Sequence, residues 1–351
     1  MKTSPAMHRG IGAPRTRPPE IRAGQPMTDD LERFSRYLTI LRGVSPRSAS
    51  LYTRQVEAFL FWMEKDGCTM DPAAMRREDV EDFFEHNFYR HATLKKPMAE
   101  GNSNATRNAK QTALGHYFKY LLRERVVAED ITALIPRPKV DYSAVEKFTH
   151  GEVQRFFAAA DITKEKGLRD ACVFILAAFG GLRAGEIVGL TLQSLIEESA
   201  GSLDIHIVGK FSKHRQIYLW KAPSRLLFLW RSVRISHGAR SAHPLFVTYR
   251  RGNHHQRNRL TIHDLDKMVK TYARVIGVEK PKISMHMFRS THASDLRHIE
   301  GYDTPAIAER LGHRSIATTD RYIPTRGRIH KTYASLAAYW RDVTGLWGGA
   351  E

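Results

Sequence analysis

Cysteine is almost missing from this chain, with Cys68 and Cys172 the only two among 351 residues. So small a supply supports neither a disulfide framework nor a thiolate metal site, and it points to a reducing compartment, the cytoplasm. Long apolar runs are also absent. A membrane-spanning helix needs about 20 consecutive apolar residues, and the stretch from Val173 to Phe179 is too short, reading instead as a buried core helix. The first residues lack the apolar segment of a secretory signal. There is no Walker-type loop and no G-x-G-x-x-G fingerprint, so no nucleotide cofactor is indicated. Nothing repeats at a fixed period. The carboxylate clusters that usually hold Mg²⁺ for phosphoryl transfer are missing too. His254-His255 sits between Arg251 and Arg257 without metal-ligand spacing, and a solvated loop explains it better. Neither cofactor nor metal is therefore expected.

Acidic residues are scarce relative to basic ones. Lys and Arg number 55 against 37 Asp and Glu, a formal charge of +18, with a pI near 10.0. Such a field attracts polyanions, of which nucleic acid is the commonest for a protein without a membrane anchor. Hydrophobic content of 42% is ample for packed cores. At about 150 residues per domain the length suggests two.

Residues 1–26 are rich in Pro, Gly and Arg and hold few large apolar residues, so they read as a disordered basic arm, with Met27 a rival start of translation. From residue 27 to 135 a helical domain is expected. Leu31, Phe34, Tyr37, Leu38 and Leu41 share one helical face. Ser45-Pro46 reads as a cap and first turn, ahead of a stripe of Tyr52, Val56, Phe59, Leu60 and Met63. A third helix covers about 79–91 with Val80, Phe83 and Phe84, and a fourth about 104–124. That fourth helix places Ala109, Ala113, Tyr117 and Leu121 inward and Arg107, Lys110, Lys119 and Arg123 outward. Ile135-Pro136-Arg137-Pro138-Lys139 cannot continue a helix, so a linker is placed at 136–147. A second domain is expected over 148–326. Its helices lie near 149–160, 166–180, 261–276, 286–298, 304–311 and 315–322, around a ribbon in which Leu203, Ile205, Ile207 and Ile217, Leu219 alternate. The ribbon's turn runs from Gly209 to Arg215. A last helix, about 328–343 within a tail of 327–351, has the apolar face Tyr333, Leu336, Ala337 and Tyr339, suited to a partner groove. The fold class is mainly α, with a helical N-terminal domain followed by a mixed α+β domain carrying a small antiparallel sheet.

Chemistry concentrates between Gly181 and Tyr322. Attack on a DNA phosphodiester places negative charge on the non-bridging oxygens, which planar, permanently charged guanidiniums can hold bidentately. Arg183 and Arg289 suit that role. The leaving 5′-oxygen needs a proton, which Lys210 or Lys213 can give, and spacing alone does not choose between them. His286 and His313 can hydrogen-bond the phosphate or manage protons near neutral pH. Tyr322 offers a hydroxyl nucleophile whose ester would store the energy of the broken bond. Singly, each has a plain structural reading: Arg183 can pair with Glu186 one turn on, and Tyr322 can be a core aromatic. Glu186 is read as support for Arg183. Arg47, Arg107, Lys110, Lys213 and Arg215 are the candidate DNA contacts.

As a set, Arg183, Lys210, His286-x-x-Arg289, Leu311-Gly312-His313 and Tyr322 resemble the signature of the tyrosine recombinases, the phage integrase family. Gly209-Lys210-x-x-Lys213-x-Arg215 is similar to the family's turn, in which the catalytic lysine comes first, and so favours Lys210. Ser290 departs from the histidine the family often has there. Ser45 to Tyr52 and Thr106 to Pro136 resemble its core-binding domain, so the likeness spans about residues 28–340. It implies a site-specific recombinase acting on double-stranded DNA through a 3′-phosphotyrosine on Tyr322. It also implies two domains clamped about DNA, a tetramer on two paired sites, and exchange through a Holliday junction. The helix near 328–343 would dock on a neighbouring protomer. Without room for an arm-binding domain, an Xer-like or transposon-borne enzyme of a bacterium or mobile element is the closer picture. A second recombinase or an accessory protein stays an open partner. The competing readings are a type IB topoisomerase, which the helical first domain and C-terminal helix disfavour, and a DNA-binding regulator or architectural protein without catalysis, which has no need of Tyr322.

Overall fold

Side-chain caps set where the helices begin. Ser45 accepts a hydrogen bond from Ser48 N at 3.2 Å with Pro46 in the first turn, and Ser103 accepts from Thr106 N at 3.3 Å. Thr149 with Glu152 and Thr261 with Asp264 form reciprocal capping boxes. The computed structural model describes residues 27–89, 103–140, 145–198, 201–208, 214–219, 221–249, 258–298 and 301–312. Within them the chain divides into two units, Met1–Asp141 and Tyr142–Glu351.

The first unit contains α1 (Met27–Arg36), α2 (Pro46–Lys65), α3 (Arg77–Tyr89) and α4 (Asn104–Arg123). Phe34, Leu38, Val56, Phe59, Met63, Val80, Phe83, Phe118 and Leu121 form its core. The expected stripes, on α1 with the helical turn Tyr37–Leu41 that continues it and on α2, are buried or half-buried apart from Leu41, which is exposed. On α4 the expected Ala113, Tyr117 and Leu121 are buried, but the placement of Ala109 and Lys110 needs correction. Ala109 is exposed, whereas Lys110 is only 9% exposed. The buried stripe runs through Lys110, Leu114, Tyr117, Phe118 and Leu121. A lysine tolerates this place because its aliphatic stem can line apolar surface, and its ammonium lies 5.4 Å from the Phe83 ring centroid. The amides of α4 also bind the proline-rich segment that follows: Gln111 donates to Ile135 O at 2.6 Å and Asn108 to Pro138 O at 2.9 Å. Prolines leave those carbonyls without helical partners, so side chains supply the donors.

The second unit contains α5 (His150–Ala158), α6 (Glu165–Ala178), α7 (Ala184–Gly189), β1 (Leu195–Glu197), β2 (Leu203–Val208), β3 (His214–Leu219), α8 (Lys221–Ser236), α9 (Ile262–Val275), α10 (His286–His298) and α11 (Thr304–Leu311). The sheet is antiparallel in the order β1-β2-β3, pairing Ile205 with Ile217 and Val208 with His214. The expected turn is thus shorter at its end, because His214 and Arg215 are already strand residues. The short β1 and the whole of α8 add to the expectation. α8 buries Pro223, Ser224, Leu227, Trp230 and Arg234, while Leu229 and Ile235 are exposed and blur that stripe in the sequence.

α10 is fixed by aromatic packing. Phe288 stacks with Phe174 at 5.4 Å between centroids and meets Phe148 and Phe156 at 4.7 and 5.0 Å. Full burial of such a ring stabilises the fold by about 1.5–3 kcal/mol. Phe288 lies between His286 and Arg289, so this packing also sets where those two side chains emerge. The helices expected at 315–322 and 328–343 lie outside the described residues. Among the described residues no helix is long and apolar enough to cross a membrane.

Candidate active site

Gly181 makes the first turn possible. Its φ is +60°, and a Cβ there would lie 2.5 Å from His292 Cδ2 and 2.9 Å from Leu311 Cδ2. Only glycine meets both demands, a left-handed backbone and no side chain. The turn delivers Arg183 to the residue just before α7, with extended backbone at φ −72°, ψ 151°. Arg183 N donates to Glu186 Oε2 at 2.8 Å, its Nη1 donates to Glu186 Oε1 at 2.9 Å, and its Nη2 donates to Gly312 O at 3.0 Å. The side chain remains 39% exposed, which leaves a guanidinium face open to a ligand.

His286 and Arg289 sit one turn apart at the start of α10 and therefore share a helix face. Arg289 is 1% exposed. It donates to Gly181 O and, at 2.6 Å, to Leu311 O. One arginine thereby ties the Gly181 turn to the end of α11. His286 is exposed at the helix start. Even so, desolvation by surrounding protein, then the charges of Arg289 and Arg183, hold its pKa below the ordinary histidine value. Arg183 and Arg289 meet at the Leu311–Gly312 carbonyls, and His286 lies one turn from Arg289 on α10. Ser290, which stands where the family often has histidine, is buried and donates to His286 O at 3.1 Å.

Beneath these residues lies a carboxylate that the sequence marks only as support for one arginine. Glu186 also accepts from both terminal nitrogens of Arg215, Nη1 on Oε1 at 2.7 Å and Nη2 on Oε2 at 2.8 Å. Arg289 Nη1 is 4.0 Å from Oε2. Burial pushes the Glu186 carboxyl up, but Arg215 and then Arg183 more than reverse this and bring it down to about 2. It stays ionised throughout the physiological range. Arg215, expected as a DNA contact, is turned inward to this carboxylate, its side chain only 16% exposed. Strand alternation carries the signal, since Arg215 shares a face of β3 with buried Ile217 and Leu219.

His292 is a site neighbour that no sequence motif singles out. It is fully buried beneath Gly181, and desolvation with the charges of Arg310 and Arg289 drives its pKa down to about 3, so it packs as a neutral ring. α11 ends at Gly312 with φ +63°, ψ 46°, the left-handed closure glycine favours. His313 is the next residue in the chain. Lys210, Lys213, His313 and Tyr322 lie outside the described residues. Among the described residues no group of three or more His, Cys, Asp or Glu could hold a metal ion. Of the other candidate DNA contacts, Arg47 is exposed and Arg107 is half-buried, donating to Asn104 Oδ1.

The phage integrase family matches residues 146–326, and its N-terminal SAM-like domain matches residues 31–125. A tyrosine recombinase XerD of Listeria innocua is 27% identical over 314 residues, covering 88% of this chain and 98% of that protein. The fold is similar to that of XerH site-specific recombinase bound to palindromic difH substrate, with TM-score 0.63, 20% identity, and 83% and 80% of the two chains covered. It is also similar to a lambda integrase tetramer bound to a Holliday junction, with TM-score 0.59, 14% identity, and 88% and 80% covered. With one family description spanning more than half of its length, on the unit that gathers Arg183, His286 and Arg289, the chain belongs to the phage integrase family, the tyrosine recombinases.

Proposed function

We propose that this protein is a site-specific recombinase that cuts and rejoins double-stranded DNA through a covalent tyrosyl intermediate. The observation that carries this reading is the convergence of Arg183 and Arg289 on the carbonyls of Gly312 and Leu311, immediately before His313, with His286 one turn from Arg289 on α10. Tyr322 is assigned as nucleophile. Its oxygen attacks phosphorus, the new P–O bond joins the 3′-phosphate to the phenol, and the P–O5′ bond breaks. The phenol proton passes to a neighbouring base, for which His286 is suited because its imidazole is held neutral. The 5′-oxygen leaves with a proton from Lys210. Arg183 and Arg289 stabilise the charge gathering on the non-bridging oxygens, and loss of either should raise the barrier by about 2.7–4 kcal/mol. Attack by a 5′-hydroxyl on the phosphotyrosine reverses the step, and when that hydroxyl belongs to another duplex the strands are exchanged.

The wider assembly is inferred in the same way. The first unit, with its SAM-like match, is assigned to DNA binding and the second to catalysis. A tetramer on paired sites, with passage through a Holliday junction, is supported by the junction-bound lambda integrase tetramer of the same fold. In that scheme residues 327–351 engage a neighbouring protomer.

Covalent trapping tests the reading even though the DNA site is unidentified. Nicked genomic fragments are incubated with the wild type or with Tyr322→Phe, the mixture is denatured, and DNA that remains attached to protein is sequenced. Adducts in the wild type alone, clustered on a shared sequence, are expected. Adducts that persist in the Phe variant would refute Tyr322 as nucleophile. Tight DNA binding with no adduct in either would favour a binding-only protein.

A further inference from the structure

We propose that Arg215 is a positioning residue for this site, holding Arg183 and the Leu311–Gly312 corner in place through Glu186. Its effect on activity rests on the recombinase reading; its grip on the corner does not. Two separate contacts support it. Arg215 occupies both oxygens of Glu186 in a bidentate pair, at 2.7 and 2.8 Å. The same carboxylate orients Arg183 through its backbone nitrogen and Nη1. The guanidinium of Arg215 also lies against Gly312: a Cβ on that glycine would sit 2.9 Å from Nη1 and 3.4 Å from both Cδ and Cζ.

The corner is therefore gripped by three arginines in different ways. Arg183 binds Gly312 O at 3.0 Å, Arg289 binds Leu311 O at 2.6 Å, and Arg215 packs against the Gly312 α-carbon that lies between those two carbonyls. Glu186 joins the three cations. Without it, their mutual repulsion would oppose the close approach that two guanidiniums on one phosphate require. Arg215 is well suited to this task because its planar fork matches a carboxylate, and β3 fixes its backbone by pairing with Ile207 on β2. The absence of a side chain at Gly312 is what admits the guanidinium.

A direct phosphate contact by Arg215 is the competing assignment, and the two differ in measurable ways. Full-length Arg215→Gln and Arg215→Lys are compared with wild type on the nicked fragments recovered by trapping. Single-turnover adduct formation, DNA affinity against salt, and hydrogen exchange over Ala184–Gly189 and Thr304–Gly312 are followed. Positioning predicts adduct formation slowed by about 10- to 100-fold in Arg215→Gln, since small displacements of reacting groups cost that much. Affinity and salt slope should stay unchanged, exchange should accelerate at those two segments but not across the unit, and Arg215→Lys should recover part of the rate. A weaker affinity with a salt slope reduced by about one would make Arg215 a phosphate ligand and overturn the proposal. An unchanged rate with unchanged local exchange would overturn it as well. If Arg215→Gln unfolds, Arg215→Lys decides by the same readouts. A wild type that forms no adduct defeats the recombinase reading, while the local exchange pattern still decides whether Arg215 holds the corner.

Discussion

Replacing Glu186 with glutamine should destabilise the second unit by about 3 kcal/mol at neutral pH, and the loss should shrink on acidification. The magnitude follows from the ionisation of the group. Depressing its pKa from 4.5 to about 2 makes the folded state favour the carboxylate by about 3 kcal/mol. Removal of one partner from a buried ion pair costs about 3–5 kcal/mol in general, which agrees. Glu186 and Arg215 have side chains 7% and 16% exposed, so solvent screens the pair little. The sign follows from a folded-state pKa below the unfolded one. Stability from this group is present above about 4.5, and falls as pH drops from there toward 2. Glutamine has no such dependence. The gap between wild type and Glu186→Gln should therefore be constant from about pH 8 to about pH 5.5, then narrow by about 1.4 kcal/mol for each unit below the unfolded pKa. Urea unfolding followed by hydrogen exchange over Ala184–Gly189 and His214–Leu219 reads the unit that contains the pair. A gap below about 1 kcal/mol at neutral pH, or one that persists unchanged at about pH 3.5, would show that the three-arginine cluster does not depend on this charge.

Adduct formation should have its acid limb below the usual histidine pKa of 6.5, because desolvation and the charges of Arg289 and Arg183 keep His286 neutral further into the acid range. A rate-against-pH profile checks this, and an acid limb above that value would remove His286 as the base. Arg47→Ala should weaken DNA binding and lower the salt slope by about one, since Arg47 is exposed. Lys110→Ala should leave the salt slope unchanged and instead lower the thermal stability of the first unit, because its ammonium is buried over Phe83. Filter binding across salt concentrations, with a melting curve for each variant, separates the two effects.

The helical framework was legible because its signals are local. Ser45-Pro46 marks a helix start through a contact spanning three residues and caps α2 as expected, and the helices expected near 149–160 and 261–276 begin at caps of the same kind, Thr149 with Glu152 and Thr261 with Asp264. Alternation of Ile205 with Ile207, and of Ile217 with Leu219, marks strands for the same reason. The placement of Lys110 on α4 was harder. Lys110 scores as polar in any pattern, yet its stem is apolar and a ring lies where the ammonium must go. That ring belongs to α3, so no window along α4 could reveal it. α8 was missed because much of its length faces outward, with Leu229 and Ile235 exposed, which blurs the periodicity that would announce it.

In the site, the residues assigned to bind substrate and those proposed to arrange them differ in how visible they are. Arg183, His286 and Arg289 can be chosen by chemistry, because phosphate calls for guanidinium and imidazole wherever they fall in the chain. Glu186 and Arg215 have no chemistry of their own in the proposed reaction, and their ordinary interpretations are a helix-capping acid and a surface base. Their partnership spans 29 residues and closes only when β3 runs antiparallel to β2 beside α7. Yet one clue lay in plain view. An arginine two residues before Ile217 and four before Leu219 must face the same way as they do, and a strand face that buries two aliphatic side chains will not bury a guanidinium without an acid to meet it. Here Glu186 meets it, taking Nη1 and Nη2 of Arg215 on its two oxygens. A basic residue in phase with a strand's buried face is thus better read as half of an internal ion pair than as a DNA contact, however large the net positive charge around it.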